Sequence, residues 1–520
     1  MNRIFHLAFL MTLPMTMYFT ACTKTAPSSS SDEDEEFSES GSAKAKSSSS
    51  GGSEKAKSSS DAADDIDEDC VGTPGEPWDG TTAKDFACGA GTKLSPYIIL
   101  TAEQLAHLSF VVGAKDSEYS DKYFKLGADI LLNDGTLIDE NGALIADSTK
   151  LHKWTPIGNS SVVFNANFDG DGHTVSGIFI NTTSTHNGLF GNVSGTVQNV
   201  TVKDSWVSGG NTTAGVIGYN RGTIRNVTNR ASVTSTNGPV GGVLGSNENT
   251  YGKVSIIENV YNYGVIKGKS DVGGVIGFMD RIQLTNAENF GLIEGETYSG
   301  GIWGGAKSTT VDAKNLVNHE KIIGKSNVGG IGGYCGHYGV GSKYSSLCGT
   351  LTNVRNEGDV EGSSNVGGIC GAFGGSVTAG SNVASIFGTK YVGGIFGNAD
   401  FSTTVALYNT GDVEGTQNVG GVIGYNQEGV TSSAYSTGKV VGDSLVGLMI
   451  GYNYNTTMAD YYYLEQGEQE PFGLNNGGGV ATPKTEKEMK SKEFAELLGE
   501  DFTYDSGLND GYPVLKWEEE

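Results

Sequence analysis

Short runs of β-branched and aliphatic residues, separated by polar segments that contain glycine, recur along most of this 520-residue chain. In the segment that begins at Asn418, the runs are residues 419–425, 430–435 and 439–441. Apolar residues in these repeats do not follow the 3.6-residue spacing that indicates an amphipathic helix. The pattern therefore predicts three short strands in each segment, divided by turns.

A glycine-rich core of the form GGxxG marks each repeat. Five of the nine intervals between the closing glycines of these cores are 27 residues long, and the longest interval is 38 residues. A recurrent period of this length indicates a solenoid. The closing glycines are Gly191, Gly218, Gly245, Gly277, Gly304, Gly333, Gly371, Gly397, Gly424 and Gly451.

These ten cores predict an all-β fold, a right-handed parallel β-helix of about ten coils, with small helical or irregular caps at both ends. Val and Ile at equivalent positions should stack inside the coils. The glycine pairs, such as Gly420-Gly421, should take positive φ at a corner and let neighbouring backbones approach closely. Phosphate-binding loops are not indicated, because such a loop joins a strand to a helix and occurs once per site.

The chain divides into five predicted segments. They are a lipoprotein signal peptide (1–22), a disordered Ser/Asp/Glu-rich stalk (23–69), an N-terminal capping region (70–163), the repeat β-helix (164–464) and a C-terminal cap (465–520).

Each cap is predicted to hold a helix that plugs one end of the solenoid, because an open end exposes core and unpaired strand edges. The first helix should begin at the capping box "TAEQ", residues 101–104, and carry its apolar residues on one side. The second helix corresponds to "TEKEMKSKEFAELLG" and should lie near the last coil. The apolar residues concerned are Leu105, Leu108 and Val112 in the first helix and Met489, Phe494, Leu497 and Leu498 in the second.

Residues 1–22 combine a basic start, an apolar run and small residues before a cysteine, which is the pattern of an export signal. The string "FTAC" resembles a bacterial lipobox. That resemblance implies acylation of Cys22, a lipid anchor in the outer membrane and exposure at the cell surface. A membrane anchor helix is the alternative, but the apolar run is short for a span.

Residues 23–69 contain almost no apolar side chain to bury, which predicts a solvated tether, with a calcium-binding or partner-binding tail as the alternative. The chain carries 34 Lys and Arg against 60 Asp and Glu, a net charge of −26. Its pI is near 4.6. This acidity and the absence of a basic patch argue against nucleic acid as a partner.

Six cysteines fit an exported protein if Cys22 carries lipid. Cys70 and Cys88 flank a short loop and are one candidate disulfide, and Cys335 and Cys348 bracket an insertion and are another. Cys370 is then left as a small buried side chain. Because none of them has the CxxC spacing of a metal or redox site, no metal site and no cofactor are predicted.

The repeats resemble those of a known family. "AGVIGYNRGTIRNVTNRASV" (214–233), "VGGVIGFMDRIQLTNAENFGLIEG" (272–295) and "VGGVIGYNQEGVTSSAYSTGKVVG" (419–442) look like GLUG repeats, and "GLFG" (188–191) is similar to the core that names them. The resemblance covers about residues 95–520 and implies a bacterial surface protein. GLUG repeats also occur in the N-terminal region of some IgA-cleaving metallopeptidases, but the His-Glu-x-x-His motif of such a peptidase is absent here.

Parallel β-helices also host polysaccharide lyases and glycoside hydrolases, so the recurrent carboxylates are candidate catalytic pairs. The candidates are Asp359, Glu361, Asp412, Glu414 and Glu294, with Arg281 or Arg355 as the basic partner. An alternation of inward Val and outward acid explains these residues more simply. Asp169-Gly170-Asp171-Gly172 is similarly predicted to be a turn rather than a calcium loop.

Tyrosines recur beside the core glycines and could form a glycan-binding strip, because exposed aromatic rings stack on sugars. A row of buried rings would only fill the coils. The ligand-binding candidates are Tyr219, Tyr425, Tyr452, Tyr461, Tyr462 and Tyr463, with related aromatics at Phe278, Tyr334, Tyr261, Tyr263, Phe290, Tyr408 and Tyr435.

We therefore expect a non-catalytic surface lipoprotein for adhesion or recognition, with polysaccharide or a partner-cell surface as its ligand and a membrane as its anchoring site. A β-helical lyase or hydrolase is the first alternative. A structural envelope spacer that binds nothing is the second.

Overall fold

The computed structural model describes residues 70–248, 252–336 and 348–519. Strands from successive repeats pair in parallel and in register, so that each coil hydrogen-bonds with the coils before and after it. The predicted all-β parallel β-helix is confirmed, with about 13 turns of ~27 residues. The predicted signal peptide and stalk lie outside the described residues.

Each full coil contains four strands where the sequence predicts three. In the repeat that contains Asn418 they are Gln417–Gly420, Ile423–Gln427, Val430–Ser436 and Val440–Val441. The single strand predicted for residues 419–425 is wrong, because the chain turns between its two halves and they join different ladders.

The first ladder is a separate ten-stranded sheet. Its strands are Thr185–Asn187, Asn211–Ala214, Val240–Gly241, Ser270–Gly273, Thr297–Gly300, Ser326–Gly329, Ser364–Gly367, Lys390–Gly393, Gln417–Gly420 and Ser444–Gly447. The second ladder consists of Phe190–Val193, Ile217–Asn220, Leu244–Asn247, the beginnings of Ile276–Asn289 and Trp303–Asn318, Gly332–Cys335, Cys370–Phe373, Phe396–Asp400, Ile423–Gln427, Ile450–Tyr454 and Phe472–Asn475.

The third ladder is the longest. Its strands are Tyr97–Ile99, Tyr123–Leu126, Asn167–Asp169, Thr196–Gly209, Thr223–Ser235, Ser255–Asn262, Ile276–Asn289, Trp303–Asn318, Thr350–Asn356, Ser376–Asn382, Thr403–Asn409, Val430–Ser436, Thr457–Leu464 and Ala481–Lys484. The fourth consists of Phe179–Asn181, the ends of Thr196–Gly209 and Thr223–Ser235, Ile266–Lys267, Ile293–Glu294, Ile322–Ile323, Val360–Glu361, Ile386–Phe387, Val413–Glu414 and Val440–Val441. Ile130–Leu131 and Thr174–Ser176 pair beside Thr196–Gly209.

The third ladder extends beyond both ends of the predicted repeat region. Tyr97–Ile99 and Tyr123–Leu126 lie in the predicted N-terminal cap, and Ala481–Lys484 lies in the predicted C-terminal cap. These outer coils have strands but no GGxxG core, which explains why the glycine spacing predicts about ten coils and the structure has more.

The glycine pairs are required for close packing, not for positive φ. Gly420 and Gly421 are absent from the residues with positive φ, so the expectation of a left-handed corner is wrong. A Cβ on Gly420 would collide with the carbonyl of Ile423, and one on Gly421 with the carbonyl of Leu448 in the next coil. The predicted close approach of backbones is therefore confirmed. Positive φ occurs instead at Asn418, two residues before Gly420, with φ of 57°.

A continuous core fills the coils. It is built from inward Val, Ile, Leu and Phe of all four ladders, and most of these side chains have no solvent exposure. Cys370, 0% exposed, is a free cysteine within this core, as predicted. The two predicted disulfides, Cys70–Cys88 and Cys335–Cys348, are present. The insertion between the second pair falls on residues 337–347, outside the described residues.

A row of seven buried asparagines runs along the inside of the third ladder. Each side-chain amide donates to the Oδ1 of the asparagine in the next coil, at 2.7 to 2.8 Å, until the last in the row. Each also donates to the carbonyl two residues ahead in its own coil. The row is Asn229, Asn262, Asn289, Asn318, Asn356, Asn382 and Asn409, all 0% exposed. We call it the inner asparagine ladder.

The N-terminal helix is Ala102–Gly113, and the capping box predicted at its start is present. Thr101 accepts a hydrogen bond from the Gln104 backbone N–H, and the Gln104 side chain accepts one from the Thr101 N–H. Leu105 and Leu108 are fully buried, as expected. The short 3₁₀ helix Ser117–Tyr119 follows.

The C-terminal segment contains two short helices, Glu486–Met489 and Lys492–Leu498, and not the single helix expected. Ser491 interrupts the helix, because its side chain caps the second one. The segment ends with the antiparallel strands Phe502–Thr503 and Val514–Leu515, and with the 3₁₀ helices Asn509–Gly511 and Lys516–Glu519.

This segment is not a plug. Phe494 lies 5.7 Å from the ring of Tyr435 and 5.4 Å from that of Tyr462, on the outer face of the third ladder. The segment therefore covers the side of the last coils, where aromatic residues point outwards. Leu497, which was expected to lie near the last coil with the other apolar residues of the helix, is 49% exposed.

Candidate functional site

Tyr425 and Tyr452 occupy equivalent outward positions on neighbouring strands of the second ladder. Their rings lie 5.3 Å apart at 74°, and the ring of Tyr391 lies 5.4 Å from that of Tyr425 at 51°. All three side chains are half-buried, and Tyr454 beside them is 42% exposed. Because these rings are tilted against one another, they leave parts of their faces open.

Polar side chains complete this surface. Asn398 pairs in register with Tyr425, and Asp400 pairs with Gln427. The Tyr425 hydroxyl donates to Gln427 Oε1 at 2.9 Å. Asn398 Oδ1 and Asp400 Oδ1 are buried oxygens that have no hydrogen-bond partner among the described residues. We call this surface the tyrosine patch: Tyr391, Tyr425, Tyr452, Tyr454, Asn398, Asp400 and Gln427.

Asp400 is the charged group of the tyrosine patch. Burial, and to a lesser extent the charge of Glu428, raises the pKa of its carboxyl above the ordinary value. A carboxyl group without a partner in a half-buried position can both accept and, when protonated, donate hydrogen bonds. Planar amide and carboxyl groups beside aromatic rings are suited to a ligand that has hydroxyl groups and apolar faces.

Tyr219 is not part of this patch. It occupies the equivalent position in a distant coil and is 9% exposed. The guanidinium of Arg221 lies 4.8 Å from its ring centroid, and the His186 ring packs edge-on at 5.0 Å. Its hydroxyl donates to the carbonyl of Glu248. Its ring is therefore already covered by protein.

Tyr461, Tyr462 and Tyr463 do not form an exposed strip either. Tyr461 and Tyr463 point into the core, with exposures of 1% and 9%. Tyr462 points outwards, but Phe494 of the C-terminal segment covers it. Their prediction as ligand-binding residues is corrected: consecutive side chains of a strand alternate between faces, and both faces are covered here.

A second aromatic row, formed by the residues directly after three strands of the third ladder, is stacked on itself. The rings of Tyr263 and Phe290 lie 4.6 Å apart at 5°, and those of Phe290 and His319 lie 4.3 Å apart at 11°. The guanidinium of Arg230 covers the other face of Tyr263 at 3.8 Å. Because both faces of Tyr263 and Phe290 are in contact with a neighbouring ring or guanidinium, these two residues do not offer a free face to a sugar.

His319 ends this row between two carboxylates. Its Nδ1 lies 2.7 Å from Glu357 Oε2, and its Nε2 lies 3.0 Å from Glu288 Oε2. The hydrogen bond with Glu357 contributes most to raising the pKa of His319, with burial opposing it and Glu288 adding to it. The hydrogen bond from His319 is the main cause that lowers the pKa of Glu357. Burial opposes it, and the hydrogen bond from Arg355 adds to the lowering, so that the pKa is about 2.

The contacts of His319 with Glu357 and Glu288 predict how the folding stability of the protein depends on pH. The raised pKa of His319 contributes stability below pH 6.5, and this is lost as the pH rises through the value in the folded protein. The lowered pKa of Glu357 contributes stability above pH 4.5, lost as the pH falls towards about 2. We expect His319→Gln to lower the melting temperature most near pH 6 and progressively less towards pH 9. Thermal unfolding across this range tests it, and a difference independent of pH would contradict it.

The recurrent carboxylates are held by neighbouring groups. Glu361 pairs with Lys321 at 2.6 Å, and Glu294 with Lys267 at 3.0 Å. Asp359 and Asp412 each accept a backbone N–H from the next coil. Glu414 is exposed.

The adjacent Val360 and Val413 are fully buried, so the predicted alternation of inward Val and outward acid is confirmed. The two candidate bases form ion pairs with carboxylates other than the recurrent ones. Arg355 pairs with Glu357 and Glu518, and Arg281 pairs with Asp280. The expected turn at Asp169 is also present, since Asp169 Oδ1 accepts the N–H of Asp171 at 2.9 Å. Within the described ranges, no group of three or more His, Cys, Asp or Glu side chains is placed to hold a metal ion.

Four residues of the tyrosine patch were not predicted from the sequence: Asn398, Asp400, Tyr391 and Tyr454. Asn398 and Asp400 lie in "FGNAD", where the tyrosine of "IGYNQ" is replaced, and the register of the GGxxG cores would have aligned them. Tyr391 precedes the core in the first ladder and has φ of 56°, a conformation that the sequence did not suggest.

The comparisons with known proteins show limited similarity. No family model matches the chain. No helix of the described residues is long and apolar enough to cross a membrane. A protein of Evansella cellulosilytica named "Putative Gly-rich membrane protein" is 33% identical over 126 residues, which are 24% of this chain and 13% of that protein. A solved structure of a "putative immunoglobulin A1 protease" from Bacteroides ovatus is 16% identical over 83% of this chain and 95% of its own, with a TM-score of 0.29.

Proposed function

We propose that this protein is a non-catalytic surface protein for adhesion or recognition that binds glycan through the tyrosine patch. The observation that carries the proposal is the combination, in one place, of tilted half-exposed rings and unpartnered polar oxygens. Tyr391, Tyr425 and Tyr452 supply the rings, and Asn398 and Asp400 supply the oxygens.

A sugar ring offers an apolar face of C–H groups and an edge of hydroxyl groups. Tyrosine buries apolar area on one side and keeps a polar tip, so it suits such a ligand. Buried oxygens without partners are costly, and ligand hydroxyls would satisfy Asn398 and Asp400. The patch thus gains more from a hydroxylated ligand than from a purely apolar one.

We propose a non-catalytic role because four of the five recurrent carboxylates considered as catalytic candidates are held by neighbouring groups. Glu361 and Glu294 are paired with lysines, and Asp359 and Asp412 with backbone N–H groups. A glycosidase needs two free carboxyl groups across a bound sugar. A lyase needs a base beside the substrate, and Arg355 is held by Glu357 and Glu518 instead.

The proposal extends to attachment. We propose that the repeats are GLUG repeats and that acylated Cys22 and the stalk of residues 23–69 anchor the solenoid to the outer membrane. The Evansella cellulosilytica relative is named as a membrane protein, which supports membrane association.

Retention on polysaccharides tests the proposal. The chain from residue 23 onward would be applied to a panel of soluble and insoluble polysaccharides, with and without calcium, and the same tubes assayed for reducing ends and unsaturated products. We expect retention without product. Tyr425→Ala and Tyr452→Ala should each weaken binding by about 2 kcal/mol, or roughly 30-fold, because they remove central contact area.

Tyr263→Ala is the matched control, since it removes an exposed tyrosine from a different face. It should leave retention unchanged. Release of product would favour an enzyme, and no retention on any polysaccharide would favour the spacer.

A further inference from the structure

We infer that the tyrosine patch is part of a longer track that binds an extended chain of neutral or amino sugars lying parallel to the solenoid axis. This inference rests on the proposed function and specifies the shape and charge of its ligand. Its evidence is the repetition of one aromatic arrangement along a single edge of the coils.

The arrangement at Tyr391 and Tyr425 occurs a second time. Tyr298 lies in the first ladder with φ of 57°, as Tyr391 does with φ of 56°. Its ring lies 5.5 Å from that of Tyr334 at 56°, compared with 5.4 Å and 51° for Tyr391 and Tyr425. Both pairs join a residue of one coil to the outward position of the following coil in the second ladder.

The two pairs lie in line. The outward positions of the second ladder run in register from Tyr334 through Ala372, Asn398 and Tyr425 to Tyr452. These are four coil steps, and at the usual spacing of strands they cover about 19 Å. An extended pyranose chain advances by about one coil step per sugar, so the track corresponds to about five sugar units.

The middle of the track carries a small and a polar side chain between the two ring pairs. Ala372 has a small side chain, and no ring stands at that position or at Asn398. Asp400 acts on the titration of both Tyr334 and Tyr425, which places its carboxyl within electrostatic range of both rings. Asp400 lies two residues after Asn398 on the same strand, between the two pairs along the ladder, and its Oδ1 has no hydrogen-bond partner among the described residues.

The charges on this edge select the kind of sugar. Asp400 and Glu428 are carboxylates on this edge, and the charge of Glu428, after burial, helps to raise the pKa of Asp400. Lys390 is held 4.5 Å from the ring centroid of Tyr391. Carboxylates repel uronic acids and sulfated sugars, whereas they tolerate neutral hydroxyls and attract an ammonium group.

Dependence on chain length tests the inference. Cello-oligosaccharides, chito-oligosaccharides and deacetylated chito-oligosaccharides of two to eight units would be titrated calorimetrically into the chain from residue 23 onward. We expect affinity for at least one series to rise by about tenfold or more from two to five units, because linked contacts act together. Affinity should then change little from five to eight units, because the track ends.

Two substitutions locate the track. Tyr334→Ala should weaken binding of the five-unit chain about tenfold and leave binding of the two-unit chain unchanged. Tyr425→Ala should weaken binding of both. Tyr263→Ala should change neither, and melting temperatures of all variants verify that they are folded.

The outcomes separate the two proposals. Equal affinity for two and five units, lost on Tyr425→Ala, would overturn the track and leave glycan recognition at the tyrosine patch in place. A preference for oligogalacturonides, included as the anionic control, would overturn the charge selection. If no oligosaccharide bound, both proposals would fail.

Discussion

Replacing Asn289 by alanine should lower the free energy of unfolding by about 4 kcal/mol. Asn289 accepts from Asn262 Nδ2 and donates to Asn318 Oδ1 and to the carbonyl of Gly291, all at 2.8 to 2.9 Å. The substitution leaves buried polar atoms unpaired on both sides and opens a small gap. Urea unfolding, together with hydrogen exchange of the amides in the two neighbouring coils, measures the loss.

Asn286→Ala is the matched control, because Asn286 lies in the same strand and also donates to an asparagine, Asn259. Asn286 is only part-buried, so water can replace its hydrogen bonds. We expect a loss of about 1 kcal/mol there, including the cost of a left-handed alanine. Equal effects at the two positions would show that burial of the inner asparagine ladder adds nothing.

Replacing Glu518 by alanine should detach the C-terminal segment from the side of the solenoid. Its carboxylate, 5% exposed, binds Arg355 Nη1 at 2.9 Å, the hydroxyls of Tyr408 and Ser381, and the N–H of Leu515. Removing one partner of a buried pair leaves the other without compensation, at a cost of about 3 kcal/mol. Limited proteolysis within residues 486–519 should accelerate, and that segment should lose hydrogen-exchange protection before the coils do.

Glu519→Ala provides the neighbouring control, since Glu519 is exposed. It should leave proteolysis unchanged. If Glu518→Ala unfolded the whole protein in one step, the segment would be an integral part of the solenoid and not a separately stable cover. Solenoids are stabilised mainly by contacts between neighbouring coils, so the local result is the one expected.

The repeat architecture could be predicted because two signals coincide in each coil. Gly420-Gly421 and their equivalents mark a fixed register, and the buried Val and Ile, such as Val422 and Ile423, follow at constant offsets. The spacing did not reveal the outer coils, whose strands carry no glycine core. It also did not reveal that positive φ belongs to Asn418 and its equivalents.

The inner asparagine ladder is visible in the sequence, although the pattern of apolar runs and glycine cores did not predict it. The strings "NVTN", "NVYN", "NAEN", "NLVN" and "NVRN" recur with the period of the coils, and the second asparagine of each is the buried one. An isolated asparagine favours turns. An asparagine that recurs at one position of a solenoid can instead form amide hydrogen bonds with the equivalent asparagines of the neighbouring coils.

The candidate site could be predicted in part. The position after the core glycine identifies Tyr425 and Tyr452, but exposure is not encoded in that position, since Tyr219 occupies it and is covered by Arg221. The sequence also did not indicate that the C-terminal segment packs on the side of the last coils. It follows from the outward rings of Tyr408 and Tyr435, which need a cover that the coils themselves do not supply.

The asparagines also carry electric dipoles along the rod. In the inner asparagine ladder every amide donates towards the C-terminal coils, as Asn289 does to Asn318. A second, outer row on the same strands donates the opposite way, as Asn315 does to Asn286, over Asn199, Asn226, Asn259, Asn286, Asn315 and Asn353. A single aligned row would leave partial charges at its two ends, as aligned peptide groups do in a helix. The two opposed rows offset each other, so the rod can be lengthened by further coils without accumulating a dipole from its asparagines.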